Sequence, residues 1–313
     1  MGRSSQKSSG LIDHPSLFSD EEMRSAERAS VLPPETPALA LAMAERAPAQ
    51  TDAKSRLIAE YLTRFQLVTR GGLYIDGFAA PQSRMHPEAW TARRVLEIKP
   101  PRLRTFWLCD IDPPGCQQLR ELKRFHNGTP KVRKVFVFEG DFNRRVDEIL
   151  MSGRIHKRTA VFVLLDQRNT ECHWTTVRKL ARFKSQTKIE VLYFLGIGWL
   201  LRSLKVSQRP ERLVEIDRWW GSDSWHDLKN MSQLAISTLM AERFQKELGY
   251  RFANVWPVFL SEDGQRVPFV LIHASDHPEA PILMRRAYTA VWGNRSGSPT
   301  DAQLDMFWGP AGA

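Results

Sequence analysis

Cysteine is scarce: the chain has three in 313 residues, and Cys109, Cys116 and Cys172 show no Cys-x-x-Cys spacing. An odd count without paired spacing excludes a disulfide frame and a zinc ribbon, so buried, idle thiols are expected. Long apolar runs are missing too. No stretch of about 18 apolar residues occurs, and the N-terminal MGRSSQKSSG lacks the apolar centre of a secretory signal. These absences predict a cytoplasmic protein without membrane contact. No internal repeat is visible.

Acidic residues are the minority charge, with 35 Asp and Glu against 45 Lys and Arg, a formal net of +10. The excess is not uniform. Residues 51–300 carry 40 basic and 26 acidic side chains, a net of +14, and residues 151–212 alone carry 13 against four. Such a concentration suits either contact with phosphates or a well-solvated surface.

The length allows one large domain or two. Residues 1–48 mix Ser, Pro, Ala and charge without sustained periodicity, which predicts a mobile leader with a short helix around Glu21 to Ala29. From Ala53, the spacing of Leu57, Ile58, Tyr61, Leu62 and Phe65 predicts a helix with one buried stripe. Short apolar runs follow as strands: LYID to Asp76, TFWLCD to Asp110, KVFVFEGD to Asp141, AVFVLLD to Asp166, and IEVLYFLG to Gly196. Helical segments lie between them, at 116–125, 142–151 and 174–183. Continuously apolar strands alternating with helices indicate a parallel sheet covered on both faces. VWPVFL and VPFVLIHAS, around Asp263 and Gly264, read as an antiparallel hairpin. The predicted architecture is therefore α/β: a Rossmann-type, class I S-adenosylmethionine-dependent methyltransferase-like fold over residues 49–295. A helical insertion near 207–235 and a flexible tail at 296–313 complete the expected layout.

Ligands of open α/β sheets bind beyond the carboxyl ends of the strands, where four of the five runs carry an acidic residue. Asp76 opens the small-residue loop through Gly77, Phe78, Ala79 and Ala80, where backbone can approach the methionine part of the cofactor. Asp110 is placed to accept from ribose hydroxyls, Asp141 to lie by the adenine with Phe142 as a stacking face, and Asp166 to face the substrate. The competing role of an aspartate at a strand end is a helix cap or turn.

Several segments carry a family resemblance: YIDGFAAPQ (74–82), GDFN (140–143), VLLDQRNTECHWTTVRKLA (163–181), KIEVLYFLGIGWLLRSL (188–204) and LIHASDHPEAPILMRRAY (271–288). Together they resemble the three-Cys-motif partner family, TcmP, over roughly residues 54–290. The resemblance implies a methyltransferase-like fold and association with a radical-type three-Cys-motif companion protein; the family name refers to cysteines of that companion. Members look like Asp-x-Phe-Ala-Gly-Pro-Gly at the first loop, where this chain has Ala80 and Gln82 in place of both glycines. Two functions follow as expectations. One is S-adenosylmethionine-dependent methyl transfer to nucleic acid, with Asp76, Phe78, Ala80, Asp110, Asp141 and Phe142 at the cofactor and Asp166 and Gln167 at the acceptor. The other is a non-catalytic nucleic-acid-binding adaptor on the same fold. Asp166-Gln167-Arg168-Asn169 keeps the carboxylate of the Asp/Asn-Pro-Pro-Tyr motif of amino-group methyltransferases but not its prolines or ring.

The remaining candidates divide between chemistry and packing. Cys172 and His173 are adjacent, yet two ligands do not make a zinc site, so no metal is expected. His273, Ser275, Asp276 and His277 contain the residue types of a hydrolase triad, but a turn and helix cap suit their spacing better. The helix after the fourth strand sets Trp174, Val177 and Leu180 on an apolar face; Arg178, Lys179 and Arg182, with Arg168, are the candidate phosphate contacts. Trp219, Trp220 and Trp225 suit either base stacking or a self-packed lid. In the tail, Gln303, Leu304, Met306 and Phe307 resemble the bacterial sliding-clamp-binding motif, with three apolar anchors and an amide for the groove rim; the competing role is a tail folded onto the domain.

Overall fold

A computed structural model of the chain describes residues 37–81, 86–168, 170–206, 210–258 and 269–293. The predicted leader helix around Glu21 to Ala29, Gln82, Asn169, the turn at Asp263 and Gly264, and the tail residues Gln303, Leu304, Met306 and Phe307 lie outside them.

Seven strands form one sheet: β1 (Leu73–Asp76), β2 (Thr105–Asp110), β3 (Lys134–Glu139), β4 (Val161–Leu165), β5 (Glu190–Leu195), β6 (Phe252–Val258) and β7 (Phe269–Ser275). Their spatial order is β3-β2-β1-β4-β5-β7-β6. The pairs β1/β2, β1/β4, β2/β3 and β4/β5 are parallel, whereas β7 runs antiparallel to both β5 and β6. The predicted strands form within the described residues, and Phe252–Val258 and Phe269–Ser275 pair antiparallel as the alternation requires. Every residue of β1, β2, β4 and β5 is buried, which is why these strands read as unbroken apolar runs. At the sheet edge β3 buries only Val135 fully, and its ends, Lys134 and Glu139, are exposed.

The helices are α1 (Pro37–Val68), α2 (Thr91–Leu96), α3 (Pro113–His126), α4 (Phe142–Leu150), α5 (Trp174–Arg182), α6 (Ile197–Val206), α7 (Pro210–Trp220), α8 (Gln233–Lys246) and α9 (Glu279–Trp292). α1 starts well before the apolar stripe that predicts it from Ala53. Its first turns, PALALAMAERA, are rich in the strong helix formers Ala, Leu, Met and Glu, so intrinsic propensity rather than an amphipathic stripe extends the helix. From Leu57 to Phe65 the stripe is 0–4% exposed. The insertion between β5 and β6 is helical, with α7 followed by a 3-10 segment at Asp223–Asn230. Among the described residues, no helix is long and apolar enough to cross a membrane.

Candidate active site

Parallel strands placed side by side bring their carboxyl ends together, and the order β3-β2-β1-β4 sets Asp110, Asp76 and Asp166 on three adjacent strands. At the centre, β1 and β4 lead to opposite flanks of the sheet, which opens a crevice. A cavity of about 150 Å³ lies there, lined by Phe78, Ala80, Asp110, Asp141, Phe142, Asp166 and Arg168 among others. Seven of the residues singled out in the sequence thus share one cavity.

The loop after β1 is set by close packing. A Cβ on Gly77 would sit 2.9 Å from the Phe142 ring, so only glycine lets β1 and the start of α4 approach this closely. The Ala80 methyl is accommodated from across the crevice: a Cβ on Gly115 of α3 would come within 2.4 Å of it. The space that glycine would supply in the loop is supplied by glycine in the neighbouring helix. The Ala80 N–H donates to Asp110 Oδ2 at 2.8 Å, and Asp112 N–H donates to Asp110 Oδ1 at 3.0 Å. Each oxygen of that carboxylate retains a lone pair for a hydroxyl.

Asp76 is 1% exposed. It accepts from the Tyr74 hydroxyl at 2.8 Å and the Phe78 N–H at 3.2 Å. Burial pushes its pKa up to about 7, the neighbouring charges of Asp166 and Asp110 add to the rise, and the two hydrogen bonds oppose it. Asp141 caps α4, accepting from Asn143 N–H at 2.9 Å and Asn143 Nδ2 at 2.8 Å, so the capping and crevice-lining roles coincide. Phe142 is 2% exposed, and a Cβ on Gly77 would press on its ring, so little of the ring is open for stacking.

Asp166 has a partner that sequence spacing did not show. Lys54 of α1, 112 residues earlier, places Nζ 2.7 Å from both Asp166 oxygens. Both side chains are buried, and the ammonium lies 4.8 Å from the centre of the Phe194 ring. Gln167, expected at the acceptor, is fully buried and its amide is committed elsewhere. Its Nε2 donates to the Phe194 carbonyl at 3.2 Å and its Oε1 accepts from Cys172 N–H at 2.9 Å. Its role is to tie the β4 loop to β5, because a fully buried amide must satisfy both its ends. Asn143 is a second tie missed by the sequence reading. It donates to the Glu171 carbonyl at 2.8 Å, and its Oδ1 accepts from His173 N–H at 2.9 Å and the Thr176 hydroxyl at 2.8 Å, joining the loops after β3 and β4.

The basic set on α5 is divided. Lys179 pairs with Asp147 at 2.6 Å, Arg178 is half-buried beside Trp220 and Arg243 in a separate cavity, and Arg182 is exposed. Arg168 stands apart at the mouth of the crevice, with its N–H donating to Glu171 at 2.9 Å. The tryptophans form a self-packed unit: Trp219, Trp220 and Trp225 are at most 3% exposed. Arg243 is stacked between Trp174 and Trp220, 4.0 Å from each ring centre.

At the opposite end of the sheet, buried Glu190 accepts from the Tyr61 hydroxyl, the Ser275 hydroxyl at 2.9 Å and pairs with His273 Nε2 at 2.9 Å. His273 and Ser275 therefore share a carboxylate instead of forming a nucleophile and base pair. The three cysteines are free and buried, and burial raises each thiol, that of Cys116 to about 11. No group of three or more His, Cys, Asp or Glu fit to hold a metal occurs among the described residues. Comparison of the sequence with family models and with curated proteins finds no match.

The crevice carries Asp110, Asp112, Asp141, Asp166 and Glu171 against Arg168, with Lys54 behind Asp166. An acidic crevice in a protein of net charge +10 favours a cation and disfavours a ligand bound through a diphosphate. S-adenosylmethionine fits that charge, and Asp110 fits its ribose hydroxyls. A cavity of this size takes about one aromatic ring, so the rest of such a cofactor would extend beyond the mouth.

Proposed function

We propose that this chain is a class I methyltransferase-like protein that binds S-adenosylmethionine in the crevice and acts on nucleic acid. The observation that carries the reading is the acidic cavity at the ends of β1 to β4. The strand order with β7 reversed also supports it, since this is the arrangement of class I methyltransferases. Bound, the cofactor supplies an electrophilic methyl group. Asp110 would hold the ribose hydroxyls, Asp141 and Phe142 would border the adenine, and Asp166, kept in place by Lys54, would accept a hydrogen bond from the acceptor group. Arg168 meets a phosphate at the mouth. Catalysis then rests on positioning rather than on a covalent intermediate.

Calorimetric titration of the full chain with S-adenosylmethionine tests this. Saturable binding is expected, weakened about ten- to a hundredfold by Asp110→Ala through loss of charged hydrogen bonds. No heat from the parent ends the reading. Mass spectrometry of nucleic acid from cells with the parent or with Asp166→Ala then identifies the methylated product.

One observation favours a second reading, the non-catalytic adaptor: both oxygens of Asp166 already face Lys54, which leaves less of that carboxylate for an acceptor. An adaptor binds nucleic acid without methylating it and reaches its place through partners. The TcmP resemblance proposes the three-Cys-motif companion, and Gln303, Leu304, Met306 and Phe307 propose a sliding clamp. Retention on immobilised clamp, lost in Leu304→Ala with Phe307→Ala, is the expected result for the tail.

A further inference from the structure

A second cavity, of about 250 Å³, lies at the end of the sheet opposite the crevice. Its walls are Tyr61 and Phe65 from α1, Val161 at the start of β4, and Ala280 and Leu283 from α9. Its polar border is narrow. Glu190 opens β5 and Ser275 closes β7, and they are only 6% and 4% exposed. Exposed Val68 and Thr187 also line the cavity, so it opens to solvent. Close packing leaves few voids larger than a water in a protein interior, and a cavity with apolar walls and convergent buried polar groups has the form of a small-molecule site.

Counting acceptors shows which molecule it would take. A carboxylate has about four acceptor positions, two on each oxygen. Oε1 of Glu190 is engaged by the Tyr61 hydroxyl and by His273 Nε2, whereas Oε2 accepts from the Ser275 hydroxyl alone. Ser275 Oγ in turn accepts from the His277 N–H at 3.2 Å. One position on Oε2 and one on Ser275 Oγ therefore remain. An ammonium brings three donors and would lose its water without finding an acceptor for each, which is costly among apolar walls. A single hydroxyl or ring N–H is met in full. The charges that also line the cavity are already engaged: Lys188 donates to the carbonyls of Leu248 and Gly249 at 2.8 and 2.6 Å, and Asp276 accepts from the Arg251 N–H at 2.9 Å.

Size and wall chemistry complete the description. A cavity of about 150 Å³ holds one benzene ring, so this one has room for two fused rings. Tyr61 and Phe65 are aromatic, and a ring packed on them gains more than its buried area alone supplies. We propose that this cavity binds a neutral, flat aromatic molecule of about two rings carrying one hydroxyl or N–H donor, which meets Glu190 Oε2 beside Ser275. The site is separate from the crevice and does not depend on the cofactor reading.

The test is calorimetric titration of the full chain, near neutral pH, with three probes that share a ring system: naphthol, naphthalene and the cationic naphthylmethylamine. Naphthol should bind saturably, about three- to tenfold tighter than naphthalene through one added hydrogen bond, and the ammonium should bind more weakly than either. Ala280→Leu puts extra carbons into the cavity and should weaken both neutral probes about tenfold or more. Leu283→Phe, about one turn further along α9, should act in the same direction and stands in where Ala280→Leu does not fold. Glu190→Gln keeps the shape and removes the charge, so the preference for naphthol over naphthalene should shrink. No saturable binding of naphthol, equal affinity for naphthol and naphthalene, tighter binding of the ammonium, or affinity unchanged in the α9 variants overturns the inference.

Discussion

Two buried carboxylate clusters sit at opposite ends of one sheet and are built on opposite terms. At the amino ends of the parallel strands, Glu190 meets Tyr61, His273 and Ser275, so each donor around it has an acceptor. At the carboxyl ends, Lys54 pairs with Asp166 alone, while Asp76 and Asp110 accept only neutral donors, the Tyr74 hydroxyl and backbone N–H groups. A buried carboxylate with several donors joins α1, β5 and β7. Carboxylates with one counter-charge among three are costly to bury, and that cost is offset when something cationic arrives. The difference teaches that burial alone does not mark a functional acid; the count of its partners does.

The sharpest way to break this comparison is to remove each acid in turn. Glu190→Ala strands three buried donors and should cost about 3–5 kcal/mol, measured by urea unfolding. A loss under about 1 kcal/mol would mean that water replaces the carboxylate and that the cluster is not a clamp.

Asp76→Asn should do the reverse, and only above neutrality. The folded state raises the Asp76 pKa from 3.8 to about 7, so it binds that proton more tightly than the unfolded chain does. The stabilising effect of protonation is full below about pH 3.8 and is lost as pH rises through about 7. At about pH 8 the parent carries the buried charge and the variant does not, a difference on the order of 2–4 kcal/mol in the variant's favour. Near pH 4 the two should be equal. The Tyr74 hydroxyl can turn to accept from the new amide, since it both donates and accepts. Equal stability of parent and variant at both pH values would place Asp76 among the satisfied acids.

A smaller effect tests how the crevice tolerates Ala80. Gly115→Ala brings two methyl groups within 2.4 Å of each other and should cost about 1–3 kcal/mol by overpacking. Adding Ala80→Gly should restore most of it. Failure of the second change to rescue the first would mean that the loop and α3 adjust independently.

Most of the fold was legible because the strands are buried on both faces and announce themselves as apolar runs; TFWLCD and AVFVLLD needed no context. The start of α1 was not, because Ala-rich helix before Ala53 has no amphipathic period. Asp110, Asp141 and Asp166 were readable as a set through their place at strand ends. Their partners were not. Lys54 meets Asp166 across 112 residues, and the Asn143 and Gln167 ties depend on loops from different strands touching, which no local spacing encodes. Gln167 was placed at the acceptor through its neighbour Asp166, yet successive residues leave a strand in opposite directions.

The smallest effect concerns the outer surface, where the crevice's acidity gives way to basic residues. If nucleic acid lies across the mouth, its affinity should fall with salt at a slope of about 0.9 per duplex phosphate neutralised. Arg168 lines the crevice, so Arg168→Glu should lower the slope by about one contact, and exposed Arg182, at the far end of α5, should lower it by less. Lys179 already pairs with Asp147 at 2.6 Å, and exposed pairs of this kind contribute less than about 1 kcal/mol to stability. Binding a phosphate through Lys179 nevertheless means giving up a local partner, so Lys179→Glu should change the slope less than Arg168→Glu does. Arg178 faces Trp220 and Arg243 in its own cavity, and Arg178→Glu should leave the slope close to the parent's. Fluorescence anisotropy with a labelled duplex and a labelled single strand, each titrated at several salt concentrations, ranks the four. An equal fall for all of them would show that α5 presents one basic face to nucleic acid, against the division seen here; no fall for Arg168→Glu would move the nucleic acid away from the crevice altogether.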